Sequence, residues 1–285
     1  MDRAALPKRP SITVGLTFVG SDALGALAAG LERVEHAIVA ACAAVDAAFA
    51  FVPWSEPSAA AATEALMEAG VAPFAVVDGV LAEVLQREGY EAGLKATLLE
   101  PERIRSSMES VLERRLDRVR AALDAGARAI VVAEDLAGSS GPLVAPDFAI
   151  ETLMPLLATI ADAATTGAVP AVWHSDGEVR SLLGAARKAG FSAVHAGGGL
   201  DFDGFERVFW AARAADLMTI GGIPTRDLAQ GLTHAEVVGS RAGLLARAGK
   251  LLVADDGGMT TAAEAQAFLR AVAAAREAAG APRRR

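Results

Sequence analysis

Cysteine is almost missing from this chain: Cys42 is the only one in 285 residues. That excludes a disulfide framework and a thiolate metal cluster. Its setting, Val39-Ala-Ala-Cys-Ala-Ala-Val45, reads as a small core residue on a helix. Basic clusters are missing too. Lysine and arginine number 27 against 35 acids, scattered along a chain of net charge −8, which argues against a nucleic-acid surface. The one basic run, Arg283-Arg284-Arg285, reads as a solvated tail. No apolar stretch is long and uninterrupted enough to cross a bilayer, so no membrane partner is expected. Residues 1–10 lack the apolar centre of a secretory leader and read as a disordered tail; the expectation is a cytoplasmic protein. No linker and no low-complexity tract beyond an alanine bias divides residues 11–280, which read as one domain.

What the chain does have is a repeat. Eight times a short apolar run closes on polar or glycine residues and gives way to an alanine-rich helical stretch. The runs are Ser11–Gly20, Ala47–Trp54, Pro73–Gly79, Ala129–Leu136, Pro170–Gly177, Ser192–Gly199, Leu217–Pro224 and Lys250–Gly257. Runs with little alternation are expected of parallel strands covered on both faces, and eight strand–helix units in one domain predict a (β/α)8 TIM barrel. The best amphipathic helix is predicted over Glu102–Ala125, with Ile104, Met108, Val111, Leu112, Leu116, Val119 and Leu123 at three- and four-residue spacing. Pro101 precedes it and Gly126 follows it. Asp147 and Thr233 read as helix N-caps. Residues 80–128 are long for one crossover. They are expected to hold two helical segments joined at Leu94–Pro101, building a lid or wall over the strand ends.

A barrel brings the residues that close its strands to one mouth. These include Ser21, Asp22, Trp54, Ser55, Glu56, Asp78, Glu134, Asp135, His174, Asp176, His195, Asp255 and Asp256. So many ionisable groups around an apolar pocket are costly unless they bind a cation or trade protons. His174 and Asp176 stand two apart, so in a strand both point to the same side and can share one ion. Glu134 from the preceding strand and Asp256 from the last complete a hard, one-histidine metal set, suited to zinc with an open position or to manganese or magnesium. His195 and Asp135 are the candidate catalytic residues, His195 as proton donor or acceptor. Trp173 alternates with His174, so its ring is expected to pack against helices.

Each group also has a plainer use. His174 alone would serve to hold a loop, Asp176 before Gly177 to cap a helix, and Asp255-Asp256 before Gly257-Gly258 to make a turn. Glu134 and Asp135 read as a pair with one structural and one functional member. Gly197, Gly198, Gly221 and Gly222 are the candidate cofactor-binding glycines. Gly197-Gly198-Gly199 lacks the spacing and the acidic partner of a nucleotide cradle, while Gly221-Gly222 would let a ligand approach the backbone.

From about Val34 to Val272 the chain resembles the uroporphyrinogen decarboxylase superfamily, and within it the cobamide-dependent methyltransferases. The resemblance is carried by Ala133-Glu-Asp-Leu-Ala137, Leu143-Val-Ala-Pro-Asp-Phe148, Met154-Pro155, Pro170-Ala-Val-Trp-His-Ser-Asp-Gly177, Ala189-Gly-Phe-Ser-Ala-Val-His195, Met218-Thr-Ile-Gly-Gly-Ile-Pro-Thr225 and Glu236-Val237. Two departures qualify it. Decarboxylases of the family carry an Arg-Gln-Ala-Gly-Arg-Tyr block at the first strand and an aspartate closing the second. Here the first strand reads Thr13-Val-Gly-Leu-Thr-Phe-Val-Gly20, and the aspartate falls near Pro53. Without arginine forks a substrate of eight carboxylates is not held. The thiol-activating methyltransferases hold zinc with His-x-Cys and a second, later cysteine; here Asp176 and Asp256 occupy the cysteine places beside His174. The resemblance implies a metal-using enzyme that transfers a methyl group, with a small-molecule substrate, a corrinoid protein carrying a cobamide as partner, and a homodimer. The alternatives are a decarboxylase (a lyase) of another substrate and a non-catalytic binding barrel.

Overall fold

The computed structural model describes residues 12–28 and 34–280. The expected tail over residues 1–10, Ser11 and the basic run at 283–285 lie outside the described residues. The eight runs become eight parallel strands: β1 (Gly15–Leu16), β2 (Phe49–Pro53), β3 (Ala72–Asp78), β4 (Ala129–Ala133), β5 (Ala171–Ser175), β6 (Ala193–Ala196), β7 (Met218–Ile223) and β8 (Leu251–Asp255). They pair in sequence order, as right-handed strand–helix–strand connections dictate. A bridge between Val14 and Val253 joins the last strand to the first, with the Val253 N–H donating to the Thr13 carbonyl at 2.9 Å. The fold is a (β/α)8 barrel.

Because both faces of each strand are buried, the side chains sort into two cores. Phe49, Phe51, Val76, Val131, Val172, Ile220 and Ala254 fill the barrel. The alternate residues, among them Val52, Val77, Val132, Trp173, Val194 and Val253, pack outward against the helices. Gly15 belongs to the inner layer by necessity, since a Cβ there would lie 2.1 Å from the Phe49 ring. The inner floor is aromatic: Phe49 and Phe74 stack with centroids 4.7 Å apart.

The long helix spans Pro101–Asp124 and buries Ile104, Met108, Val111 and Val119, with Gly126 beyond its end at φ +97°. Arg115 is buried on the same face, against expectation. Its guanidinium donates to the Gly79 carbonyl at 2.9 Å and pairs with Glu83 at 2.9 Å. Two helices precede it, Leu81–Glu88 and Tyr90–Leu99, broken at Gly89 and Glu100, so Leu94–Pro101 is mostly helix rather than a joint. Neither N-cap expectation holds. Asp147 sits in helical conformation before the π-helical turn Phe148–Leu153 and makes no capping bond. Thr233 lies inside helix Leu232–Ala246, which starts after Gly231.

One helical stretch, Phe148–Thr166, is long and apolar enough by composition to cross a membrane, which the sequence reading did not anticipate. It forms the crossover from β4 to β5 and buries Leu157, Ile160, Ala161 and Ala164 against the barrel. Cys42 is a buried residue of helix Val34–Val45, its thiol pushed up to about 12 by burial.

Candidate functional site

Ladder register decides which strand-end groups meet. His174 of β5 is paired with Ala133 of β4 and with His195 of β6. Paired residues point to the same face, so both imidazoles lie inside the barrel, stacked at 4.8 Å. Counting on by two from Ala133 puts Asp135 inside and Glu134 outside. Glu134, expected among the metal ligands, is therefore turned away from the mouth, and Asp135 faces it. The Glu134 carboxylate turns to the start of helix Leu81–Glu88, where it accepts the N–H groups of Leu81 (2.8 Å) and Ala82 (2.9 Å). Burial pushes its carboxyl up to about 7 in spite of those amides.

Asp135, His174 and Asp176 place their ligand atoms within 4.8 Å of one another. His174 Nε2 lies 3.5 Å from Asp135 Oδ1 and 3.9 Å from Asp176 Oδ1. Backbone amides hold the two acids: the Asp176 N–H donates to Asp135 at 2.9 Å, and the Gly198 N–H to Asp176 at 2.8 Å. Burial, reinforced by Asp135, pushes the Asp176 carboxyl up to about 6. Asp256 does not join this group. Its carboxylate accepts the N–H (2.9 Å) and the hydroxyl of Thr225 at the end of β7, and burial pushes it up to about 7.

The proton positions on the two histidines follow from their partners. His195 Nε2 faces the Asp255 backbone carbonyl at 3.2 Å, a group that only accepts, so Nε2 carries the hydrogen. Burial first, and the neighbouring His174 second, hold His195 well below its ordinary pKa, so it is neutral and its Nδ1 bears a lone pair. His174 Nδ1 stands 2.7 Å from that lone pair and must donate. Burial holds His174 down at about 4, which leaves its Nε2 without a hydrogen, facing two carboxylates. Three electron-pair donors therefore converge with no proton between them, an arrangement suited to a cation. His195 has both nitrogens engaged, is fully buried and does not line the cavity described below.

The glycines also act on the protein. A Cβ at Gly197 would lie 2.2 Å from Asp176 Oδ1 and 2.6 Å from the His174 ring, so this position keeps two site residues together. Gly198 supplies the amide already described. A Cβ on Gly221 (φ +131°) or Gly222 (φ +101°) would lie 2.9 or 3.4 Å from the ring of Phe205 of helix Phe202–Ala214, so a phenyl ring lies over this backbone where a ligand was expected.

A cavity of about 650 Å³ opens on the three donors. Its walls come from β1, β2 and the helices after them, including Phe18, Leu24, Ile38, Phe51 and Ala62, with Gly257 and Gly258 closing one side. No residue of 80–128 lines it, so the long third crossover is no lid over this cavity. Trp54 does not line it either, whereas Glu56 does. Trp173 packs outward and its indole N–H donates to the Glu134 carbonyl at 3.1 Å. Asp78 pairs with Arg118 at 3.0 Å, and Ser21 and Asp22 begin the exposed face of helix Ser21–Leu27. The sequence reading missed the apolar wall. Phe18 and Phe51 were visible in strand runs, but nothing distinguished them from ordinary core.

Comparison with known proteins agrees with this architecture. No curated protein matches the sequence. Among solved structures, a methyltransferase from Methanosarcina mazei superposes with a TM-score of 0.68 at 14% identity, covering 96% of this chain and 94% of that one. A D-psicose 3-epimerase, in a crystal structure determined in the presence of D-fructose, gives 0.52 at 12% identity, over 94% of this chain and 96% of that one. At such identities both establish the barrel alone. The sequence model of the uroporphyrinogen decarboxylase (URO-D) family matches residues 61–231. That match spans more than half of the chain, which belongs to the uroporphyrinogen decarboxylase family.

Proposed function

We propose that the protein is a metal-using methyltransferase of this family, working on a small molecule in the strand-end cavity with a separate corrinoid protein as methyl carrier. The observation that carries the reading is the convergence of Asp135, His174 and Asp176 at the floor of an open cavity, with the His174 Nε2 lone pair aimed between the acids. Asp135 takes the place first given to Glu134, and Asp256 leaves the set. One imidazole and two carboxylates suit zinc with a free position, or manganese or magnesium. A cation held there would act as a Lewis acid on the heteroatom that gives up or receives the methyl group.

The chain's own residues do the rest. His195 and the Asp255 carbonyl fix the His174 tautomer, so that Nε2 is a donor of electrons before any ligand arrives. Gly197 and the Gly198 amide hold Asp176 beside it. Phe18 and Phe51 keep bulk water from the inner wall, which strengthens electrostatic contacts at the floor. The methyltransferase reading draws on family membership and on the shared fold of the Methanosarcina mazei methyltransferase.

The test has two parts. Calorimetric titration of chelator-stripped protein with zinc, cobalt and manganese should show one site per chain. Metal-loaded protein should then pass a methyl group between a small donor and cob(I)alamin, followed by its absorbance, while uroporphyrinogen turnover stays undetectable. Full activity in a metal-free preparation, or robust uroporphyrinogen decarboxylation, overturns the proposal.

A further inference from the structure

The cavity walls say what kind of molecule fits them. Phe18 and Phe51 meet edge to face at 5.5 Å, and Phe18 touches the His174 ring at a centroid distance of 5.0 Å. Apolar surface therefore runs up to the donor atoms without a polar shell between. Leu24, Ile38, Val52 and Ala62 continue it outward. Every charged side chain among the described residues on the wall is an acid: Asp135, Asp176 and the exposed Glu56. An anionic head group would meet carboxylates, with no arginine or lysine among those described wall residues to receive it. A cationic head would compete for the acids that the metal reading assigns to the ion.

We propose that this cavity takes an uncharged, apolar-bodied molecule bearing one oxygen or sulfur atom, with that atom directed to the Asp135–His174–Asp176 end. At about 30 Å³ per liquid-packed atom group, 650 Å³ admits roughly twenty non-hydrogen atoms. The direction of the heteroatom and the exclusion of a cationic head rest on the metal reading; the apolar body and the exclusion of an anionic head rest on the walls alone.

Three probes separate these. Propylbenzene has no donor atom and reads the walls; calorimetry on metal-free protein should show it binding. 3-Phenylpropane-1-thiol and 3-mercaptopropanoate share a thiol and differ in body and charge. On zinc-loaded protein the phenyl compound should bind about 100-fold tighter, the order expected for one buried aromatic ring. Ala62→Trp should lower its affinity and that of propylbenzene at least tenfold while the zinc affinity stays the same. Ser58→Trp, at the partly exposed rim, makes the same test should the first variant fail to fold. Propylbenzene binding without any zinc binding sinks the metal reading and sustains the apolar class. Zinc binding with the anionic thiol equal to or tighter than the phenyl one overturns the apolar class. So does binding of both apolar probes undiminished in the tryptophan variants.

Discussion

Two stretches of the barrel mouth end in acids, buried in one and opening on the cavity in the other, and put them to opposite uses. At the seam between β8 and β1, Asp255 accepts the Thr17 N–H at 2.9 Å, the Thr17 hydroxyl and the Gly257 N–H at 3.0 Å, and Asp256 is taken up by Thr225. These carboxylates are satisfied, and they stitch strand ends together. Across β4, β5 and β6, Asp135 and Asp176 receive one backbone amide each and otherwise confront a histidine lone pair. The acids that meet several donors lie buried, and those left facing the histidine lie toward the open cavity, so depth and donor supply together divide structural from poised carboxylates.

The sharpest way to break this contrast is to remove the histidine. His174→Ala should lower zinc affinity by well over the ~100-fold of an indirect change and abolish activity, with circular dichroism and unfolding midpoint close to wild type. Unaltered metal binding would dissolve the distinction between the two stretches. At the seam the same surgery should act on stability. Asp255→Ala strands the buried Thr17 N–H and the half-buried Gly257 N–H and should cost about 2–4 kcal/mol in denaturant unfolding, with zinc affinity retained.

The adjacent acids of β4 sharpen the comparison further. Asp135→Asn should weaken zinc at least tenfold with little effect on stability. Glu134→Gln keeps one acceptor for the Leu81 and Ala82 amides and should cost about 1–2 kcal/mol without moving the metal constant. Equal metal losses in the two variants would refute the inside–outside assignment.

The smallest effect is spectroscopic. Nitrogen-15 shifts of metal-free protein should show hydrogen on Nδ1 of His174 and on Nε2 of His195, with neither ring charging between pH 8 and 5, since His174 is held at about 4 and His195 lower than its ordinary value. Unfolded, both rings bind a proton near the usual 6.5. On these two rings the unfolded chain thus holds more protons below that pH, so their share of stability falls as the solution is acidified from 6.5 toward 4, while the raised carboxyls of Glu134, Asp176 and Asp256 act in the opposite direction.

The barrel was legible because eight apolar runs close on polar residues and precede helices, a pattern with few other solutions. That His174 and Asp176 meet was legible for the same reason, as both close one strand in phase. Which of Glu134 and Asp135 faces inward was not. Strand β4 is apolar on both faces, so alternation leaves no trace in composition, and only the Ala133–His174 register settles it. Asp256 falls outside the three-donor group, held by the Thr225 hydroxyl at the start of the helix after β7, a partner that sequence distance conceals. Gly221 and Gly222 were taken for a ligand's approach because sequence cannot tell a substrate from the ring of Phe205.

Gly197 has a consequence for anyone who would transplant this centre. Moving the imidazole and the two acids onto another barrel would copy the donors but omit the space that lets them coexist, because any side chain at that position overlaps both Asp176 and His174. The minimal portable unit is therefore a quartet whose fourth member contributes no atom to chemistry. A saturation screen for variants should find that position as intolerant as a ligand, and a search for the same centre in other sequences gains selectivity by requiring a hydrogen for a side chain two residues after the second histidine.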